Sequence, residues 1–299
     1  MITNWLKRNQ KNPSVYKFNV FDITESTPID TSIKDFLSEQ VLVQYKSFRF
    51  FKMHYEKETP EKLKDYLRNY VFPNEEFAET KRGKQIVKNV RQGDFGEILS
   101  TILVEEFTDL KVPISKLRFK FNSNRSVFCT DLIAHNNDEI ITDLKYYEIK
   151  TRTSQNVYDV GIEAYESLVR DEEKPTETIA NFLSNYYFEQ AEVLFTNDAD
   201  DQAKKFYDIS TQFAEIVKNP QNYNRSFEII LIIEKSYFKE IIIKKLDALS
   251  LKLSPLEITI VLIDNLGDLV TNSYKNAENI AVKKVFPTPA LPVTSIEST

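Results

Sequence analysis

The triplet Glu148-Ile149-Lys150 places a carboxylate and an ammonium at alternate positions of an apolar, β-branched segment. Alternate residues of a strand share a face, so Glu148 and Lys150 point one way and Ile149 the other. A carboxylate so placed can hold a divalent cation, which lowers the pKa of a bound water and neutralises charge on a phosphate. A neighbouring ammonium can orient that water or stabilise the charge that develops on the phosphoryl oxygens. Together the two suit phosphodiester hydrolysis. The spacing alone says little, because Asp109-Leu110-Lys111, Asp143-Leu144-Lys145 and Glu172-Glu173-Lys174 repeat it. Context distinguishes the first triplet. It closes an apolar strand, and Asp131, followed by Leu132 and Ile133, heads the preceding one. A second carboxylate brought beside Glu148 would complete a site for a hard cation.

These residues need elements to hold them. Phe95, Ile98, Leu99, Ile102, Leu103 and Phe107 recur at helical steps, which predicts a long amphipathic helix with Gly93 and Gly96 at its start. Gly83, Gly93 and Gly96 are three of only five glycines in the chain, and glycine serves where the backbone must be approached closely. Leu117, Phe119 and Phe121 alternate with Arg118 and Lys120, the period of a half-buried strand. Val127–His135 and Ile140–Lys150 read as two more strands, joined at the turn chemistry of Asn136-Asn137-Asp138. A tight hairpin centred near Asn137 would set Asp131 opposite about Leu144. A bulge or longer loop is needed to bring Glu148 level; otherwise Asp143 and Lys145 become the competing pair.

Around this core, Thr59-Pro60-Glu61 opens a helix running to about Tyr70. The segment from Glu163 to about Lys218 reads as helical and acidic. Phe227–Ile233 is nearly all apolar, as expected of a strand buried on both faces. A helix at about Ser236–Leu249 and a strand at Ile258–Ile263 follow. The order predicts an α/β fold, a mixed sheet flanked by helices. The expected organisation is an N-terminal elaboration over 1–80, a core domain over 81–285 with a helical insertion at 163–218, and a flexible tail over 286–299.

Gly93-Asp94-Phe95-Gly96-Glu97, then Asp131-Leu132-Ile133, then Glu148-Ile149-Lys150 resemble the HamA family, the nuclease subunits of the Hachiman antiphage defence system, within the PD-(D/E)xK superfamily. The resemblance runs from about Lys81 to Lys150 and implies a restriction-endonuclease-like fold. It implies that Asp131 and Glu148 bind Mg2+ or Mn2+, that Lys150 serves the water, and that Glu97 adds a metal contact. It further implies a DNA substrate and a helicase partner, HamB. Many superfamily members carry proline before the first catalytic acid, where this chain has Thr130. Glu97 falls on the helix side away from the main apolar stripe, with Val90, Thr101 and Val104, which also suits a solvated residue.

Composition bounds the rest. A single cysteine, Cys129, excludes an intrachain disulfide and suits a reducing, cytoplasmic setting; it reads as a small buried residue. His54 and His135 lie far apart with no second cysteine or histidine near either, which argues against zinc. His135, near a turn, reads as exposed. No segment approaches the run of apolar residues that a membrane helix needs, and the start lacks a signal peptide's apolar stretch. The net charge of −6 is uneven. Lys81–Gln92 and Lys111–Thr130 each carry five cations and no acid, whereas Thr153–Glu215 carries fourteen acids against four cations that include Lys204 and Lys205. A basic block beside an acidic one fits a DNA-facing surface next to a solvent- or protein-facing one. Lys84, Lys88, Arg91, Lys120, Arg125 and Arg152 are the candidate phosphate contacts, and Tyr146 and Tyr147 either stack on bases or fill the core. The acidic stretch is a candidate helicase-docking face. Two further readings stay open: a non-catalytic DNA-binding or scaffold subunit, and a stand-alone restriction enzyme.

Overall fold

The β-branched and aromatic runs assemble into one mixed sheet. The structure, a computed structural model, describes residues 1–11, 15–120, 122–125, 130–136, 140–172, 177–195 and 200–287. Its strands are β1 (Leu6–Gln10), β2 (Asn19–Glu25), β3 (Leu110–Lys111), β4 (Leu132–Asn136), β5 (Asp143–Arg152), β6 (Asn224–Glu234) and β7 (Leu256–Ile263). They lie in the order β1-β2-β7-β6-β5-β4-β3. The central four, β2, β7, β6 and β5, run parallel, and antiparallel strands flank them on both sides. β6 is sealed on both faces, with Ile229 to Ile233 at most 2% exposed. That is the environment its unbroken apolar run requires.

Helices cover the two faces. They are α1 (Ile2–Trp5), α2 (Thr31–Tyr45), α3 (Phe48–Tyr55), α4 (Pro60–Tyr66), α5 (Lys81–Phe107), α6 (Val160–Glu172), α7 (Glu177–Phe195), α8 (Asp200–Lys218), α9 (Ile241–Asp247) and α10 (Leu266–Val285). On one face Leu37 of α2, Phe95 and Leu99 of α5 and Ala277 of α10 share a core with Tyr147, Ile149 and Ile232. On the other, Leu168 of α6, Leu183 of α7, Phe213 of α8 and Ile243 of α9 pack with Leu144, Tyr146 and Ile229. The mixed α/β sheet flanked by helices is thus the fold expected from the sequence. Residues 6–25 supply β1 and β2 to this sheet, and α6–α8 occupy most of the acidic stretch. Among the described residues no helix is long and apolar enough to cross a membrane.

Several elements differ from the sequence expectation. The long helix starts at Lys81, capped by Thr80, whose hydroxyl accepts from Gly83 N at 3.0 Å. Gly93 and Gly96 therefore sit mid-helix. The amphipathic stripe missed the first turns because only Val87 and Val90 are buried there. The strand expected at Leu117 and Phe119 is not formed: Lys116–Phe119 forms a 3-10 turn. Its alternation arises because Leu117 is buried while the Arg118 guanidinium donates to the Val43 carbonyl at 2.9 Å. His135 is buried rather than exposed, its ring edge-on to Phe213 of α8. The helix expected over Ser236–Leu249 is a 3-10 turn, Lys235–Tyr237, followed by α9. The expected first helix is capped by Thr59 with Pro60 at its first position, and it ends in a wider π turn at Leu67–Val71. Phe121, Val127–Cys129, Asn137, Asp138 and the tail beyond 287 lie outside the described residues.

Candidate active site

The site arises because β5 is longer than β4. Leu132 pairs with Tyr147 and His135 with Leu144, and β5 then continues to Arg152, with no strand on that side among the described residues. In this register Asp131 comes level with Glu148. The tight hairpin is not formed. A longer connection replaces it, and the Asn136 side chain spans it by donating to the Ile140 carbonyl at 2.8 Å and accepting from Thr142 N at 2.9 Å. Beyond β4, the amide of Ile149 donates to Asp131 Oδ2 at 2.9 Å. A strand edge must pair its backbone donors, and here a carboxylate does so. Asp131 is thereby fixed beside Glu148. Glu148 is 3% exposed and ion-paired with Lys150, two residues along the same face.

The α5 motif Gly93-Asp94-Phe95-Gly96-Glu97 contributes from the other side. A Cβ on Gly96 would stand 2.0 Å from Thr151 Oγ1, so glycine lets the helix lie directly against β5. A Cβ on Gly93 would meet nothing within 4 Å, and Gly93 borders an open cleft. Asp94 turns inward and pairs with Lys120, both side chains 4% exposed, and accepts from the Tyr45 hydroxyl. Glu97 faces the cleft. Lys116, from the 3-10 turn, reaches Asp131 Oδ1 at 2.9 Å and Glu97 Oε1 at 3.4 Å. The cleft has a volume of about 660 Å³ and is lined by Lys88, Gly93, Glu97, Asp131, Lys150 and Arg152, among others.

The electrostatics are those of crowded acids. Burial, and next the Asp131 charge, push the Glu148 carboxyl above the usual carboxylate range; Lys150 and a hydrogen bond from Ser167 offset part of this. Burial likewise holds Glu97 well above that range, opposed by Lys116 and reinforced by Asp131. Burial alone would push the Lys116 ammonium down. The Glu97 and Asp131 charges outweigh it and hold the group above the ordinary lysine value.

Of the candidate phosphate contacts, Lys84, Lys88 and Arg125 are exposed, and Lys88 borders the cleft. Arg152 lines the cleft but pairs with Glu163 at 2.5 Å. Arg91 Nε donates to the Pro73 carbonyl at 3.1 Å, and Lys120 is spent on Asp94. Tyr146 and Tyr147 are core residues, 5% and 0% exposed, and do not reach the cleft as stacking platforms. The competing pair separates: Lys145 binds Glu228 and Glu257 on the opposite face of β5, while Asp143 accepts from Asn224. Sequence reasoning counted Lys116 only among the surface cations of an acid-free stretch. No local pattern distinguishes it, since its partners lie fifteen and nineteen residues away.

The donor set of Glu97, Asp131 and Glu148 is all carboxylate oxygen, which fits a hard cation such as magnesium. Among the described residues, however, no three acidic side chains converge as a ready cage; Lys116 stands between two of them. In comparison with known proteins, the HamA family matches residues 2–277 of the 299. No curated protein matches the chain.

Proposed function

Because the chain belongs to the HamA family of the Hachiman antiphage defence system, we infer that it is a metal-dependent DNA endonuclease, the effector partnered by a helicase such as HamB. One observation supports this reading above the others. The β4–β5 register sets Asp131 level with Glu148 just past the end of β4, beside Lys150 and an open cleft. Asp131 and Glu148 would hold Mg2+ or Mn2+, with Glu97 adding a contact. A bound ion supplies a water of lowered pKa and neutralises phosphate charge.

The chain's own residues do the rest. The Ile149 amide holds the Asp131 carboxylate in place. Lys150, held against Glu148, presents an ammonium at the mouth of the cleft to orient the attacking water or meet charge on the phosphoryl oxygens. Lys88 and Arg152 border the same cleft and can receive the flanking phosphates, which would make binding salt-dependent. Gly93 leaves room for the backbone of a nucleic acid. The acidic helices α7 and α8 carry exposed Phe182, Phe188 and Tyr207 and form the proposed docking face for the helicase. Reversing Asp201 and Asp208 to lysine together with Tyr207→Asp should weaken a helicase pull-down; undiminished capture would dismiss that face.

The test is cleavage of plasmid and linear DNA by purified protein with magnesium, alone and with the helicase, beside Glu148→Ala and Lys150→Ala. Metal-dependent cleavage lost in both variants is expected. A specific observation favours a second reading, a non-catalytic DNA-binding or scaffold subunit: Asp131 and Glu148 each already have a lysine partner. No cleavage by folded protein in any condition, with no thermal shift on adding magnesium, would favour that reading.

A further inference from the structure

The ammonium of Lys116 pairs with the carboxylates of both Asp131 and Glu97. It lies 2.9 Å from one carboxylate and 3.4 Å from the other, and its side chain is only 17% exposed. This is no surface lysine that swings freely. Its turn is pinned before and after it: Ser115 Oγ donates to the Gln44 carbonyl at 3.2 Å, Leu117 is buried, and Arg118 donates to the Val43 carbonyl. Four residues on, Lys120 is locked against Asp94. The second Asp131 oxygen is held by the Ile149 amide, so the carboxylate cannot turn away from Lys116 without losing that bond. With Lys150 on Glu148, two ammoniums already pair with the three carboxylates.

We propose that Lys116 is a tethered counter-ion that competes with a divalent metal for Glu97 and Asp131, and so keeps the metal affinity of the free protein low. The physical ground is that an ion pair of small exposure is screened far less than a surface pair. An incoming divalent ion must therefore displace or share this charge before it gains the same carboxylates. A nucleic-acid phosphate entering the cleft offers the displaced ammonium a new partner, which would couple loading of the metal to arrival of the substrate. The proposal rests on the metal-site reading above, and its test separates the two.

Mn2+ binding to the full-length protein, measured by titration calorimetry, is compared among the wild type, Lys116→Met and Lys116→Arg. Methionine keeps the length of the side chain and removes its charge; arginine keeps the charge. Lys116→Met should bind Mn2+ at least about ten-fold more tightly, roughly 1.4 kcal/mol, while Lys116→Arg stays near the wild type. Without metal, Lys116→Met should melt lower than the wild type and show the larger upward shift on adding Mn2+. Lys116→Gln makes the same comparison if the methionine variant does not fold. Equal or weaker Mn2+ binding after loss of the charge would overturn the role of Lys116 and leave the metal site standing. Absence of Mn2+ binding in every variant would overturn both.

Discussion

Strand β5 carries two acid–lysine clusters built from the same chemistry, and they sit in different surroundings. At its start, Lys145 pairs with Glu228 at 2.7 Å and with Glu257, side chains between 5% and 24% exposed, with Thr259 donating to Glu228. These partners come from the neighbouring parallel strands β6 and β7, so the cluster crosses the sheet and closes on itself. At the other end Glu148 and Lys150 lie where β4 has stopped, and their further neighbours, Asp131 and Lys116, come from outside the strand ladder. Lys150 and Asp131 of that cluster line a cleft, and Glu148 is buried next to them. The difference teaches that a lysine–carboxylate cluster takes its surroundings from the strands beside it. Lys145 has strand neighbours on both sides, whereas Glu148 and Lys150 lie past the described end of β4.

The contrast is broken or sharpened by substitution. The largest effect is expected at the open cluster, where Glu148→Ala and Lys150→Ala should each lower magnesium-dependent DNA cleavage by about a hundred- to a thousand-fold. Lys145→Ala should leave cleavage per folded molecule within a few-fold. Loss of cleavage in a folded Lys145→Ala protein would erase the distinction between the clusters. Stability should invert the order. Lys145→Ala strands two carboxylates, Glu228 and Glu257, and should cost about 3–5 kcal/mol in urea unfolding, whereas Lys150→Ala strands one, Glu148, and should cost less.

Next comes Gly96→Ala, whose new methyl meets Thr151. Pushing α5 off β5 should cost about 1–3 kcal/mol, with faster hydrogen exchange along the β5 edge as the accompanying sign. Asp131→Ala should cost about 1–2 kcal/mol by leaving the Ile149 amide without its acceptor. Asp131→Asn, which keeps an acceptor oxygen, should recover most of that in the same urea titration while still failing to restore cleavage.

The smallest effect is a pH dependence away from both clusters. Burial lowers the His135 pKa below the ordinary value, so the unfolded chain binds the proton more readily than the folded one. Stability is then complete above the unfolded pKa of about 6.5 and declines as the pH falls through it toward the folded value. His135→Gln should flatten the thermal-melt profile in that window. An unchanged slope would mean that other groups set it.

Much of this was legible in the sequence. The apolar run of β6, the Thr59 cap, the alternation that puts Glu148 and Lys150 on one face and the sequence stretch containing Glu97 all follow from local pattern. Local pattern failed where a partner distant in the chain overrode it. The segment from Leu117 alternates like a strand, yet Lys116–Phe119 turns, because Lys116 and Arg118 are drawn to acceptors on other elements. His135 has a turn-like neighbourhood yet is buried, because α8, more than sixty residues later, covers it.

The sequence by itself determined which residues were available for chemistry and, through the period of two, that Glu148 and Lys150 would share a face. It left open whether Asp131 met Glu148 or Leu144, since register depends on how the connecting loop closes. Tertiary structure decided this: β4 paired with only the first part of β5, and the unpaired Ile149 amide took the Asp131 carboxylate. It also decided the place of Lys116, because a charge becomes a partner only when packing removes the water that would otherwise screen it.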